Sequence, residues 1–65
     1  MEFNFKILDE VRNEKGITIE AVCKAVDINP STWWRMVNGS IKKPKFETLA
    51  RICKLLDIDI NDLIN

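Results

Sequence analysis

The sequence predicts an all-α fold, one small domain of five helices without strands, and three observations predict it. Apolar residues recur at helical spacing almost throughout. Start and stop signals interrupt that pattern at short intervals, most clearly at Gly16, Asn29-Pro30 and Asn38-Gly39. At 65 residues, 46% apolar and 31% charged, the chain can bury one core and has no room for a second. It reads as free of strand alternation, internal repeats and low-complexity segments. A domain of this size buries only about 60% of the surface its unfolded chain exposes, so self-association is expected to add stability.

Each helix has its own local warrant. The first is expected from about Asn4 to Lys15, with Ile7, Leu8 and Val11 inward, and stops at Gly16, a natural C-terminal glycine. Thr18 caps a second helix over about Ile19 to Val26, with Val22, Cys23 and Val26 inward and Glu20 in its first turn, where the helix dipole favours an acid. Asp27-Ile28 makes the turn out of it. Asparagine before proline is a strong start signal, so Asn29-Pro30 opens a third helix running to Val37 and ending at Asn38-Gly39. Ser40 to Pro44 reads as a basic loop. A fourth helix covers about Phe46 to Leu56, with Leu49, Ile52, Cys53 and Leu56 inward and Lys45 as a poor cap. Asp59 and Asp62, spaced as cap and third helical position, open a short last helix ending near Ile64.

The composition excludes several kinds of chemistry. The chain has no histidine and no tyrosine, so a Ser-His-Asp or Cys-His relay cannot be built, and an enzyme is not expected. Cys23 and Cys53 lack Cys-x-x-Cys spacing and any histidine partner, which leaves no intrachain four-ligand zinc site. A disulfide between them is possible but not implied. No cofactor, metal or small-molecule substrate is expected. The first residues carry no basic leader, and no apolar run approaches the roughly 18 residues of a membrane span. A cytoplasmic protein with reduced thiols is therefore the expectation.

A net charge of zero hides a pattern. Residues 1–27 carry Lys6, Arg12, Lys15 and Lys24 against Glu2, Asp9, Glu10, Glu14, Glu20 and Asp27. Residues 47–65 are acidic too, with Arg51 and Lys54 against Glu47, Asp57, Asp59 and Asp62. Between them, residues 28–46 hold Arg35, Lys42, Lys43 and Lys45 and no acid. A basic segment between acidic ends is a local patch to which a polyanion responds.

The second and third helices, joined by a few residues, form the arrangement in which one helix braces and the next can lie in a groove of DNA. The stretch Gly16-Ile17-Thr18-Ile19-Glu20-Ala21-Val22-Cys23, followed by Ile28-Asn29-Pro30-Ser31-Thr32-Trp33-Trp34-Arg35-Met36-Val37-Asn38-Gly39, resembles the phage Cro/repressor-type (XRE-like) helix-turn-helix domain. The resemblance continues through Lys43-Pro44, Glu47-Thr48-Leu49, Ile52-Cys53 and Asp57-Ile58, about residues 5 to 64 in all. It implies a five-helix, lambda-repressor-like DNA-binding domain whose third helix enters the major groove, usually as a homodimer on a palindromic operator in double-stranded DNA. Carried over by position, Asn29, Pro30, Ser31, Trp34 and Arg35 would face bases. Thr18, Asn38, Ser40, Lys42 and Lys43 would meet phosphates, with Arg12 and Lys45 as further candidates. Arg35 is the foremost reader, because a guanidinium bonds both acceptors of a guanine edge.

The departures from the family pattern carry their own expectations. Ile19 stands where a glutamine is common, Asp27 replaces the usual turn glycine, and Pro30 removes a side-chain hydrogen bonder from a base-reading position. Val37 stands where a glutamate commonly pairs with the arginine at the Arg12 position. Trp33 fills a core position normally held by isoleucine or valine, which calls for small neighbours such as Cys23 and Ala25.

If Trp33 and Met36 face the core, Trp34 is left on the surface next to Ile19, and an exposed aromatic usually marks a contact site. Two readings follow: a transcriptional regulator, foremost a repressor, from a bacterium or mobile element, or an antitoxin-like or antirepressor-like protein-interaction module using an Ile19/Trp34/Val37 surface. Ile58, Ile60, Leu63 and Ile64 are more apolar than one-sided packing needs and are the expected dimerisation surface.

Overall fold

The structure is a computed structural model that describes residues 3–41 and 43–64. Four α-helices follow one another: α1 Lys6–Glu14, α2 Ile19–Val26, α3 Pro30–Val37 and α4 Phe46–Leu56. The chain then makes one 3-10 turn, Ile60–Leu63. The helical fold class and the bounds of α2, α3 and α4 agree with expectation, but a fifth α-helix does not form. The capping box expected of Asp59 and Asp62 is present, yet it closes a single tight turn.

Helix α1 begins at Lys6, two residues later than expected from Asn4. The reason lies at the other end of the chain. The Asn4 N–H donates to the Leu63 carbonyl at 2.6 Å, and Phe3 forms an isolated antiparallel bridge with Ile64. Phe5, buried beside this clasp, occupies the cap position without a side-chain capping bond.

The core takes Leu8 from α1, Val22, Cys23 and Val26 from α2, Trp33, Met36 and Val37 from α3, and Leu49, Ile52, Cys53 and Leu56 from α4. Leu63 joins them with no exposure at all, which corrects its assignment to a dimer surface: the 3-10 turn aims it inward as the plug beneath α4. Ile58 and Ile60 also pack partly against the core. Trp33 is fully buried as expected, whereas Ala25 is exposed and is not part of the core around it. Cys23 and Cys53 are free thiols in this core. Burial pushes both thiols up from their ordinary value, Cys53 additionally through the charges of Asp59 and Asp62, so they stay protonated and pack as small apolar groups.

Asp27 closes α2 in the left-handed region at φ 58°, ψ 52°, the conformation expected of a residue standing in for glycine. Its turn is held by the Cys23 carbonyl, which accepts from the N–H groups of both Asp27 and Ile28.

Candidate nucleic-acid interface

Helix α3 is the element around which the candidate site is built. Its inner face is Trp33, Met36 and Val37, all buried. At 3.6 residues per turn its outer face is then Ser31, Trp34, Arg35 and Asn38, and all four are exposed. Asn29 and Pro30, exposed as well, sit at its N-terminus. The Asn29 side chain makes no capping bond and the first turn holds no acidic residue, so this helix end keeps its positive dipole end unmatched within the chain.

The flanking elements place further donors beside it. Thr18 Oγ1 accepts from the Ala21 N–H at 3.1 Å as the N-cap of α2, which leaves the hydroxyl proton free to donate outward. After α3, the Asn38 side-chain oxygen accepts from the Ser40 N–H at 3.0 Å, Gly39 turns with φ +84°, and the Ile41 N–H returns to the Arg35 carbonyl at 3.1 Å. These bonds fold the start of the basic loop back onto α3. Lys43 and Lys45 are exposed, and neither they nor Arg35 belong to the two ion pairs found among the described residues. Lys42, the remaining candidate for phosphate contact, lies outside the described residues.

Two expected features change. Val37 is only 7% exposed, so it adds little surface beside Trp34. Trp34, 49% exposed, instead shares a shallow depression with Lys6, Asp9, Glu10, Val37 and Asn38, on the α1 side of α3, while Ile19 is half-buried against the core. The second feature concerns Arg12, which has other partners where Val37 replaces the usual glutamate. Arg12 Nε donates to Asp9 Oδ1 at 2.8 Å and Arg12 Nη1 to the Ile17 carbonyl at 2.7 Å. An arginine held through Nε and Nη1, with its side chain only 13% exposed, braces the fold.

Asp9 is the polar residue that the sequence did not single out. Its Oδ1 also accepts from the Trp33 indole at 3.1 Å, across 24 residues of chain. Burial pushes the Asp9 carboxyl up, but the hydrogen bonds from Arg12 and Trp33 and the Arg12 charge outweigh it and hold the group below its ordinary value of 3.8. The signal available in the sequence was the tryptophan itself, since a buried indole N–H needs an acceptor.

Helix α3 thus carries an uncapped N-terminus and an exposed Arg35 outside the ion pairs of the described residues, with a hydroxyl at the start of α2 before it and a lysine-bearing loop after it. That inventory suits a phosphate backbone with base edges between its strands. No curated protein matches the chain. A family model for the Cro/C1-type HTH DNA-binding domain matches residues 7–65, nearly the whole sequence. No helix of the described residues is long and apolar enough to cross a membrane. With α2 and α3 set as a helix-turn-helix and the family match spanning both, the chain belongs to the Cro/C1-type HTH DNA-binding domain family.

Proposed function

We propose that this protein is a sequence-specific transcriptional regulator, foremost a repressor, that occupies its operator with α3 in the major groove. The observation that carries the reading is the exposed, acid-free N-terminal half of α3 beside the basic loop. Residues in that half of a helix reach base edges when the helix lies in the groove. Asn29, Pro30, Ser31 and Arg35 read bases, with Trp34 at the margin of the footprint, and Thr18, Asn38, Ser40, Lys42 and Lys43 hold phosphates. Few cations are involved and the net charge is zero, so binding has a shallow salt dependence.

The operator is palindromic and the protein binds it as a homodimer. Ile60 and Ile64 remain in the self-association surface, and Ile58 stands at its edge. Leu63 leaves it, and Phe46, 73% exposed, takes its place in an apolar groove that also includes Phe3, Pro44, Ile60 and Ile64. A twofold dimer sets two half-sites roughly 34 to 36 Å apart on one face of the DNA. The test is selection from random duplex DNA at near-physiological salt. An enriched palindrome supports the regulator reading, and loss of preference in Arg35→Ala assigns the base contact.

The exposure of Trp34 favours one second reading, a protein-interaction module on the same fold. Its surface is Trp34 with Lys6 and Glu10, around a depression at whose base Val37 is nearly buried. Failure to enrich any duplex, together with a protein complex lost in Trp34→Ala, would select it.

A further inference from the structure

Among the described residues, the Trp33 to Asp9 bond is the only side-chain hydrogen bond that joins two helices. It lands in the middle of α3, the helix whose outer face carries Arg35. Its acceptor, Asp9 Oδ1, is at the same time held by Arg12 Nε, and Arg12 in turn holds the Ile17 carbonyl in the segment that leads into α2. One oxygen therefore ties α1, the entry to the helix-turn-helix and α3 together.

Apolar packing fixes the distance between helices better than it fixes the roll of a helix about its own axis, because dispersion and burial are non-directional. A hydrogen bond is directional, weakening steeply as its angle closes. Roll matters at Arg35. A guanidinium about 6 Å from the helix axis moves roughly 1 Å for each 10° of roll. The usable range of donor–acceptor distances is only about 0.5 Å wide, so a bidentate contact to a base does not survive that displacement.

We propose that Asp9 is a positioning residue for sequence recognition: through the Trp33 indole it sets the roll of α3, and so the aim of Arg35. This rests on the reading of α3 as the recognition helix. Asp9 itself touches no DNA, and its effect belongs to discrimination between sequences. Trp33, in place of a smaller aliphatic residue, supplies the donor. Asp9 thereby takes over, on α1, the partnership with Arg12 that Val37 cannot provide on α3.

The experiment compares wild type, Asp9→Ala and Asp9→Asn on two duplexes: the one enriched by selection, and the same duplex altered at the base pair most sensitive to Arg35→Ala. It is run at a temperature where circular dichroism shows every variant folded. Asp9→Ala is expected to lower the ratio of the two affinities about tenfold, within the range that one bidentate base contact supplies, while binding to a scrambled duplex and the salt slope stay unchanged. Asp9→Asn keeps an acceptor for the indole and restores most of the ratio.

An Asp9→Ala protein that melts earlier yet keeps the wild-type ratio when folded overturns the proposal, because Asp9 then serves stability alone. An asparagine variant no better than alanine overturns it too, since the charge toward Arg12 and not the indole bond would be what matters. Should Asp9→Ala fail to fold, Trp33→Phe removes the donor from the other side and is read by the same ratio. A wild-type protein that prefers no duplex refutes base reading by α3 itself, an outcome separate from a ratio that is present but insensitive to Asp9.

Discussion

The chain leaves α2 and α4 by the same route and then does two different things. Cys23-Lys24-Ala25-Val26-Asp27-Ile28 and Cys53-Lys54-Leu55-Leu56-Asp57-Ile58 are near copies placed thirty residues apart. Both end in a left-handed aspartate, φ 58° and φ 56°, and in both the cysteine carbonyl accepts from the isoleucine N–H at 3.0 Å. Beyond that point Asn29 opens an eight-residue α-helix without using its side chain as a cap. The Asp59 carboxylate accepts from the Asn61 N–H, and the Asp59 N–H donates to the Asp62 carboxylate. A turn whose end groups are satisfied internally has nothing left to offer a ligand. The helix that leaves its end groups open is the one proposed to enter DNA.

The largest effect that separates the two regions is Leu63→Ala, which removes the core plug of the second turn. It is expected to cost about 2 to 5 kcal/mol of folding, read as a drop in the urea midpoint. The matching break in the first region is Arg35→Ala, expected to leave the folding free energy from urea unfolding within about 0.5 kcal/mol of wild type. It should lower discrimination on the selected duplex by about 1 to 3 kcal/mol. If Leu63→Ala is nearly neutral, or Arg35→Ala unfolds the protein, the division of labour is wrong.

The caps sharpen the comparison. Asp59→Ala removes the carboxylate that caps the turn and is expected to cost about 1 kcal/mol of stability without touching DNA affinity. Asn29→Ala removes no capping bond, so it should cost less stability than Asp59→Ala and weaken operator binding. Substituting Asp27→Gly or Asp57→Gly relieves a left-handed non-glycine residue and a negative charge at a helix C-terminus. Each should stabilise by about 0.5 kcal/mol after the added freedom of the unfolded chain is counted. Only Asp27→Gly, next to the proposed DNA face, should also tighten binding.

The smallest expected effect is a pH dependence. The Asp9 carboxyl titrates lower folded than unfolded, so its contribution is fully present above the unfolded value near 3.8. It is lost as the pH falls through the depressed folded value. The stability advantage of wild type over Asp9→Asn should accordingly shrink below about pH 4, measured by thermal melts. A constant difference across that range would mean the carboxylate is not what Arg12 and Trp33 engage.

What could be read from the sequence follows from the range of the interaction. Gly16, Thr18, Asn29-Pro30 and the Asp59/Asp62 pair act within a turn of their own position, and each is found where it was expected. The start of α1 was misjudged because the Asn4 backbone is held by Leu63, a partner no local window contains. Leu63 itself was misassigned because a 3-10 turn advances about 120° per residue where an α-helix advances about 100°. That changes which side chains of a short segment face inward. Val37 does remove the family's usual glutamate partner of Arg12, and Asp9, one turn away on the same helix, takes its place. The doubled hexapeptide is legible in the sequence too, and marks helix exits and no larger repeat.

The clasp between Asn4 and Leu63 has a consequence for how the molecule folds. The helices α1 to α4 are short-range structures, but the clasp closes a loop of nearly the entire chain. Such closure costs about 3 to 4 kcal/mol of chain entropy by (3/2)RT ln n if nothing in between is yet ordered. Once the helices have packed, most of that cost has been met. The clasp should therefore form after the folding transition state, so that substitutions at Phe3 and Ile64 speed unfolding and leave the refolding rate nearly unchanged.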